Sequence, residues 1–312
     1  MPDLIAAMER ALAAYSSGGA IQPVRTTIEV NAEPSFFAVM PASLSAPAAV
    51  GAKLVTVYPG NHAKHLPSHL ATIVLLDADT GGLVALLDGR YITEARTGAV
   101  SAVSVKHLAR PDASVLALVG SGVQARSHLE AIRCVRTLSD VRVWSPTPAH
   151  AQAFAAEMKT ETGLPIRAVG DASAAVRGAD LIVLATGSRV PVIRDEDVAD
   201  GAHICGVGAC RPDQREMPTA LIARAKVYVD ARVGAMAEAG DILLPMKEGA
   251  IRQDHIAGEL GEVVLGRAAG RPSTAAVTVF KSLGMAVEDV VTAALAAERA
   301  RAAGLGRSFD LT

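Results

Sequence analysis

The stretch Ser114-Val-Leu-Ala-Leu-Val-Gly-Ser-Gly-Val-Gln-Ala-Arg-Ser-His-Leu-Glu-Ala-Ile132 decides the fold of this 312-residue chain. Its aliphatic start is typical of a strand buried on both faces, and a glycine turn then leads into an amphipathic run that predicts a helix. Gly120 permits the tight turn, Gly122 lets the backbone approach a ligand, and Ala125 lets the helix pack closely on the strand. The first amides of that helix would face a diphosphate. Since a further strand follows at Val141–Trp144, the motif predicts a dinucleotide site, with an ordinary strand-to-helix turn as the alternative.

The chain beyond this point alternates between short apolar runs and helical patterns. We predict strands at 114–119, 141–144, 166–169, 180–185, 203–207 and 226–230, with helices between them. This order is typical of an α/β fold with a doubly wound, Rossmann-type parallel sheet. The predicted nucleotide-binding domain spans residues 113–284.

The N-terminal part predicts a smaller α+β domain over residues 1–112, completed by a C-terminal helix within 285–312. It contains a predicted helix at 3–15 and strands at 25–30, 35–40, 48–58, 71–77 and 83–87. Asp79–Gly82 and Asp88-Gly89 are typical hairpin turns, so the sheet should be at least partly antiparallel. Thr93 is predicted to cap a helix that runs to about Leu108. The last helix has an alanine-rich face that needs a partner, either this domain or a second subunit.

Composition excludes several classes of protein. The formal net charge is −2 and aromatic residues make up 3% of the chain, which argues against a nucleic-acid partner. No apolar run is long enough to span a membrane, and the N-terminus does not resemble a signal peptide. Three cysteines without CxxC spacing predict no disulfide framework. The histidine-rich segment 62–69 is interrupted by proline, so we expect no metal site there. A cytoplasmic location is the expectation.

A few charged residues are candidates for chemistry. Lys53 has the strand parity of its apolar neighbour Val55, so it is predicted to point inward, where a lysine must pair with a carboxylate or lower its pKa. An edge-strand lysine that discourages aggregation is equally consistent with the spacing. Arg96 follows the predicted cap by three residues, where a cation opposes the helix dipole unless it holds an anion; a solvated arginine is the alternative. Glu238 and Asp241 are candidates for an acid or base, or for solvated carboxylates at a helix end.

The residues that follow the second strand of the nucleotide-binding domain indicate whether a protein prefers NAD or NADP. NAD enzymes usually place an acid there, whereas this chain has Ser145, Pro146 and Thr147. The two hydroxyl groups, with Arg126 nearby, suit the 2′-phosphate of NADP. We therefore predict NADP, with NAD possible.

With these residues assembled, the chain resembles the ornithine cyclodeaminase/mu-crystallin family over nearly its whole length. The matching segments are Gln22-Pro-Val-Arg-Thr26, Gly51-Ala-Lys-Leu-Val55, Pro67-Ser-His69, Ile92-Thr-Glu-Ala-Arg-Thr-Gly-Ala99, Gly120-Ser-Gly-Val-Gln-Ala125, Val207-Gly-Ala-Cys-Arg-Pro-Asp-Gln-Arg-Glu216, Glu238-Ala-Gly-Asp241 and Phe280-Lys-Ser-Leu-Gly284. The resemblance implies a Rossmann domain and a second domain that forms a homodimer.

The resemblance also implies roles for the ambiguous residues. Arg25, uninformative by itself, and Lys53 would hold a substrate carboxylate, and Arg96 would contact the cofactor phosphates or the substrate side of the nicotinamide. Glu238 matches a substrate-pocket carboxylate. The positions that match a cofactor lining are Ser68, His69, Val123, Gln124, Thr186, Val207, Ser282 and Leu283.

One departure bears on the reaction. Ornithine cyclodeaminases carry an Asp where this chain has Cys210, and a thiol is a poor substitute for a group that must be ionised at neutral pH. The pattern is more similar to the ketimine reductases of the family. We therefore predict an NAD(P)H-dependent oxidoreductase that reduces a small cyclic 2-imino acid, with Lys53, Arg25, Glu238 and Cys210 as candidate catalytic residues. The alternatives are ornithine cyclodeamination, alanine-type amino-acid dehydrogenation, and ligand binding without turnover.

Overall fold

The computed structural model describes residues 1–30 and 35–309, which form two sheets and ten α-helices. The strands are β1 Ala20–Ile21, β2 Thr26–Glu29, β3 Phe36–Ser45, β4 Ala48–Val57, β5 His69–Leu76, β6 Leu83–Asp88, β7 Val115–Val119, β8 Asp140–Trp144, β9 Ile166–Ala168, β10 Leu181–Leu184, β11 His203–Gly206, β12 Lys226–Val229, β13 Ile256–Glu259 and β14 Thr278–Lys281. The helices are α1 Pro2–Ser16, α2 Gly89–Leu108, α3 Val123–Ile132, α4 Pro148–Thr162, α5 Ala172–Val176, α6 Thr219–Arg224, α7 Arg232–Glu238, α8 Gly240–Lys247, α9 Leu260–Val264 and α10 Ala286–Ala302. Short 3₁₀ helices lie at Pro59–Lys64, Asp195–Asp197 and Gln253–His255.

These elements fall into two units. The parallel-sheet unit comprises Met1–Ile5 and Thr97–Gly284, and the antiparallel-sheet unit comprises Ala6–Arg96 and Met285–Thr312. The division falls inside α2, between Arg96 and Thr97, whereas the boundary predicted from the sequence is at residue 112. None of the described helices is long and apolar enough to cross a membrane.

The parallel-sheet unit has the predicted doubly wound sheet. Its strand order is β13-β12-β14-β11-β10-β7-β8-β9, and every pairing is parallel. Strand β7 is buried on both faces, because Ala117 and Val119 belong to one apolar cluster and Leu116 and Leu118 to the other. Strands β8 and β9 lie on one side of β7, whereas β10 pairs with β7 on the other side. Such a change of side is a topological switch point, which opens a crevice at the carboxyl ends of the strands. The six strands predicted here are confirmed, while β13 and β14 were not predicted.

The antiparallel-sheet unit is built on a sheet in which β1, β3, β4, β5 and β6 follow one another and β2 pairs with β3. All of these pairings are antiparallel. Helix α10 packs on β3, β4 and β5. Gly51 permits the close packing, because a Cβ there would lie 2.4 Å from the Val74 carbonyl oxygen and 3.4 Å from a methyl group of Val290. The C-terminal helix thus completes the core of this unit, as predicted.

The start of α2 corrects one prediction. The helix begins at Gly89 and not at Thr93, because the Asp88 carboxylate accepts a hydrogen bond of 2.7 Å from the Arg90 amide. Asp88-Gly89 is therefore a strand-to-helix junction and no hairpin turn. The Thr93 hydroxyl donates to the Gly89 carbonyl inside the helix. Arg96 consequently lies beyond the first turn, and the helix dipole does not explain its position.

Candidate functional site

The turn after β7 has the geometry that a diphosphate site requires. Gly120 has φ +117°, and a Cβ there would lie 2.4 Å from the Ala185 carbonyl oxygen. Only glycine at this position therefore allows the ends of β7 and β10 to lie so close together. Gly122 precedes α3, and a Cβ on it would meet no described atom within 4 Å. There is therefore open space beside Gly122 at the start of α3, and the start of a helix suits an anionic ligand.

Two buried polar atoms near the strand ends point to a ligand. Within residues 1–30 and 35–309, Gln124 Oε1 and Ser282 Oγ are buried without a hydrogen-bond partner. An unsatisfied buried polar atom costs about 1–3 kcal/mol, so such atoms are usually paired. Gln124 is in the first turn of α3 and Ser282 follows β14. The open glycine turn and these two atoms fit a bound dinucleotide.

The residues predicted to choose between NAD and NADP are arranged differently from the expectation. Ser145 is buried, and Pro146 and Thr147 are exposed before α4. Arg126 is engaged by α4, because it donates to the Glu157 carboxylate over 2.8 Å and lies over the Phe154 ring. Its guanidinium therefore already has an anionic partner, and the preference for NADP stays a prediction.

Four of the positions predicted to line the cofactor follow strands at the carboxyl edge of the parallel sheet. Thr186 follows β10, Val207 follows β11, and Ser282 and Leu283 follow β14. The buried Asp230 carboxylate fixes the last of these, because it accepts hydrogen bonds of 2.6 Å from the Leu283 amide and 2.8 Å from the Gly284 amide. One buried acid thus fixes the backbone that follows β14.

A second group of functional candidates lies in the antiparallel-sheet unit, where four charged side chains are buried together. Lys53 Nζ lies 2.6 Å from Asp289 Oδ2. Arg96 bridges two acids, with Nε 2.9 Å from Asp289 Oδ1 and Nη1 2.9 Å from Glu288 Oε2. Lys53 is on β4, Arg96 on α2, and the two acids in the first turn of α10. We call these four residues the buried ionic cluster.

The surroundings of the buried ionic cluster lower the pKa of Lys53 and of the neighbouring His69. Burial lowers the pKa of Lys53 to about 8; the Asp289 carboxylate opposes this shift, while Arg96 and Arg25 add to it. Burial also lowers the pKa of His69 to about 4, and the positive charges of Lys53 and Arg96 contribute. At neutral pH the structure therefore places a neutral imidazole and a readily deprotonated ammonium in one neighbourhood.

The structure decides between the alternatives left open for two of these residues. Lys53 is 2% exposed and its strand is flanked by β3 and β5, so it is not an edge lysine. Arg96 is 4% exposed, so it is not a solvated arginine. Arg25 acts electrostatically on Lys53, and both Lys53 and Arg96 act on His69, so the four side chains share one neighbourhood. The resemblance pairs only Arg25 with Lys53, and the roles of all four stay predictions. The acidic partners Glu288 and Asp289 were missed, although an acidic pair in the first turn of an apolar helix is a signal that could have been used.

Three other predicted residues are not members of the buried ionic cluster. Glu238 ends α7 in the parallel-sheet unit and is half-buried. Cys210, also half-buried there, donates its thiol to the Val207 carbonyl. Ser68 is half-buried next to His69, and its carbonyl accepts from the Tyr58 amide. The roles given to these three side chains stay predictions. Among the described side chains, no three His, Cys, Asp or Glu residues are grouped to hold a metal ion.

Comparison with known proteins shows the family of the chain. A sequence model of the ornithine cyclodeaminase/mu-crystallin family matches residues 1–304. The chain belongs to this family. One relative within it is the ketimine reductase mu-crystallin of Rattus norvegicus, 43% identical over 296 residues, which is 94% of this chain and 90% of the relative.

Bacterial and archaeal members of the family are similar over a greater length. A Delta(1)-pyrroline-2-carboxylate reductase of Bacillus cereus (strain ZK / E33L) is 37% identical over 311 residues, 99% of this chain and 95% of that protein. The Delta(1)-pyrroline-2-carboxylate reductase of Thermococcus litoralis, solved with NADH and L-proline, superimposes with a TM-score of 0.96 at 40% identity and covers 99% of this chain and 96% of that one. The predicted fold and the predicted family are thereby confirmed.

Proposed function

We propose that this protein reduces a small cyclic ketimine carboxylate, such as a pyrroline- or piperideine-2-carboxylate, with NADH or NADPH. The observation that carries the proposal is the buried Lys53, whose pKa of about 8 keeps the ammonium protonated at neutral pH yet able to release its proton. Members of the same family that match nearly all of this chain are ketimine and pyrroline-2-carboxylate reductases. The glycine turn and the unpaired Gln124 and Ser282 atoms supply the cofactor site.

In the proposed reaction the chain orients the substrate and handles one proton. The nicotinamide, when bound, supplies a hydride to the substrate carbon that carries the carboxylate. Arg25 and Lys53 hold that carboxylate by charge and hydrogen bonds. As the new C–H bond forms, the π electrons of the C=N bond move to nitrogen, which takes a proton. Lys53 donates this proton, and Asp289 keeps the ammonium in place beforehand.

An assay with purified protein tests the proposal. Oxidation of NADH and NADPH should be followed at 340 nm with pyrroline-2-carboxylate and piperideine-2-carboxylate, and the cyclic amino acid should form in equal amount. Ornithine and alanine should be run beside them with the oxidised cofactors. Proline and ammonia from ornithine without net cofactor change, or net cofactor reduction by alanine, would replace the proposal by one of the other two reactions. Tight binding without turnover of any substrate would make the chain a binding protein.

We also propose that the antiparallel-sheet unit forms a homodimer through the sheet face opposite Lys53. Phe37, Leu54 and Leu70 lie on that face in adjacent strands, since Phe37 pairs with Thr56 and Thr56 with Leu70 in register. Leu70 is 44% exposed and Leu86, on the next strand, 51%. Exposed aliphatic side chains in one contiguous patch are typical of subunit interfaces.

Sedimentation analysis tests the dimer. The unaltered chain should sediment as a dimer, and Leu70→Lys should shift it towards the monomer because a buried lysine would be unpaired at the interface. Val233→Lys is the matched control, since Val233 is equally apolar and 62% exposed but lies on α7 of the other unit. A monomer at all concentrations of the unaltered chain would rule out this interface.

A further inference from the structure

A buried acid, Glu216, connects two of the segments at the carboxyl edge of the parallel sheet. Its carboxylate accepts hydrogen bonds from the Thr186 amide and hydroxyl, both over 2.7 Å, after β10. It also accepts from the Gly208 amide over 2.7 Å and the Ala209 amide over 3.2 Å, after β11. Glu216 itself is fully shielded from solvent. One carboxylate therefore fixes the distance between the segments that carry Thr186 and Val207.

A second buried acid extends the connection to β14. Asp241 Oδ1 accepts from the amides of Glu216 and Met217 over 2.8 and 3.0 Å. Its other oxygen lies 3.0 Å from Lys281 Nζ, and both side chains are fully buried. Lys281 is the last residue of β14 and directly precedes Ser282, whose buried hydroxyl has no partner in the described chain. The ends of β10, β11 and β14 are thus joined by hydrogen bonds to two buried carboxylates and by one ion pair.

The packing around this chain leaves little freedom. A Cβ on Gly208 would lie 2.1 Å from the Thr186 carbonyl oxygen and 2.5 Å from Glu216 Oε1. A Cβ on Gly240, beside Asp241, would lie 2.0 Å from the Gln214 carbonyl oxygen. Glycine is needed at both positions because the backbone segments touch. The segments cannot shift independently without breaking these contacts.

Burial of ionic groups in a protein core costs desolvation free energy. Burial raises the pKa of Glu216 above its usual range, although Lys281 and the Thr186 donors act in the opposite direction. Burial also opposes the charge on Lys281, but Asp241, Cys210 and Glu216 outweigh it and raise the pKa of this lysine. Apolar residues of similar size would often stabilise a fold as well or better. The arrangement therefore indicates a need for exact backbone placement, here at a ligand site.

We propose that Glu216, Asp241 and Lys281 are positioning residues that set the three segments lining the nicotinamide ring of a bound dinucleotide. The inference rests on the proposed function, since it takes a nicotinamide cofactor as the ligand. The adenosine diphosphate part of the same ligand depends on other residues, those of the glycine turn and the end of β8. A change in Glu216 should therefore weaken recognition of one end of the cofactor and spare the other.

The experiment compares two ligands on the Glu216→Gln variant of the full chain. NADH binding is followed by its fluorescence, and binding of ADP-ribose, which lacks the nicotinamide, by calorimetry. We expect the Kd for NADH to rise by about ten-fold or more, because charge-assisted hydrogen bonds that order the segments are lost. The Kd for ADP-ribose should stay within about two-fold of the unaltered value, as for a distant and independent site.

A matched control separates positioning from general loss of stability. Asp197 is a buried carboxylate of the same unit that pairs with Arg177 and Arg194 and accepts from Ser173. Asp197→Asn should lower the melting temperature comparably but leave both ligands bound as before. If Glu216→Gln does not fold, Lys281→Met takes its place, with the same expected split between NADH and ADP-ribose.

The outcomes are distinct from those of the activity assay. Equal weakening of both ligands, or no change in either, would overturn the positioning role. Failure of the unaltered chain to bind either NADH or ADP-ribose would instead overturn the cofactor itself and with it the proposed function. Binding with the expected split but no reduction of any imine would leave the positioning role in place and reject only the reaction.

Discussion

Lys53→Met should lower kcat/KM for the cyclic imine by about 10³-fold, within the range of removal of a general acid. In the proposed reaction the Lys53 ammonium holds the substrate carboxylate and donates the proton, and methionine supplies neither charge nor proton. The unaltered enzyme should lose activity as the pH rises through about 8, since Lys53 is protonated only below its lowered pKa. The residual activity of the variant should lack this alkaline limb.

Two measurements make the Lys53 result specific. NADH binding by the variant should weaken far less than kcat/KM, because the glycine turn, Gln124 and Ser282 that we assign to the cofactor are in the other unit. Lys226→Met is the matched control: Lys226 is an exposed lysine at the start of β12, and its loss should leave kcat/KM within about two-fold. If Lys53→Met reduced imines at the normal rate while folded, the proton donor would have to be sought elsewhere, with Glu238 the next candidate.

Asp289→Asn should move the alkaline limb of the pH–rate profile to lower pH and destabilise the protein. Asp289 raises the pKa of Lys53 against the effect of burial, so its neutralisation should let that pKa fall below about 8. The lysine then loses its proton at lower pH, and the rate falls earlier as pH rises. Removal of one partner from a buried ion pair also costs about 3–5 kcal/mol in the free energy of unfolding.

Glu288→Gln is the matched control for Asp289→Asn. Glu288 pairs with Arg96 and accepts from the Met285 amide, but the main charges that shift the pKa of Lys53 are those of Asp289, Arg96 and Arg25. Both variants should unfold at lower urea concentration, whereas only Asp289→Asn should displace the alkaline limb. An equal displacement in both variants would mean that the helix start as a whole, and not Asp289, determines the protonation of Lys53.

Much of the fold follows from local sequence. The glycine turn after β7 and the alternation of strands and helices were sufficient to predict the Rossmann-type sheet, because fully buried parallel strands are continuous apolar runs. The inward direction of Lys53 followed from its parity with Val55. The start of α2 was missed because Asp88-Gly89 has the sequence of a hairpin turn, and only the hydrogen bond from the Arg90 amide distinguishes the two.

The parts that escaped prediction are those that depend on distant partners. Glu216 has the sequence appearance of a solvated loop residue, and its burial depends on backbone donors after β10 and β11. Asp289 gives no local sign that it meets Arg96, since 193 residues separate them. Long-range ion pairs have no fixed spacing in the chain, so sequence patterns predict which elements exist better than which charges meet.

The late position of α10 has a consequence for synthesis. Translation delivers Lys53 and Arg96 long before Glu288 and Asp289, the carboxylates that pair with them, since 193 residues separate Arg96 from Asp289. Without α10 the antiparallel sheet would have to bury two unpaired cations, so we expect its core to form only after α10 has been synthesised. The parallel-sheet unit is nearly continuous in the chain, so it can fold before the antiparallel-sheet unit.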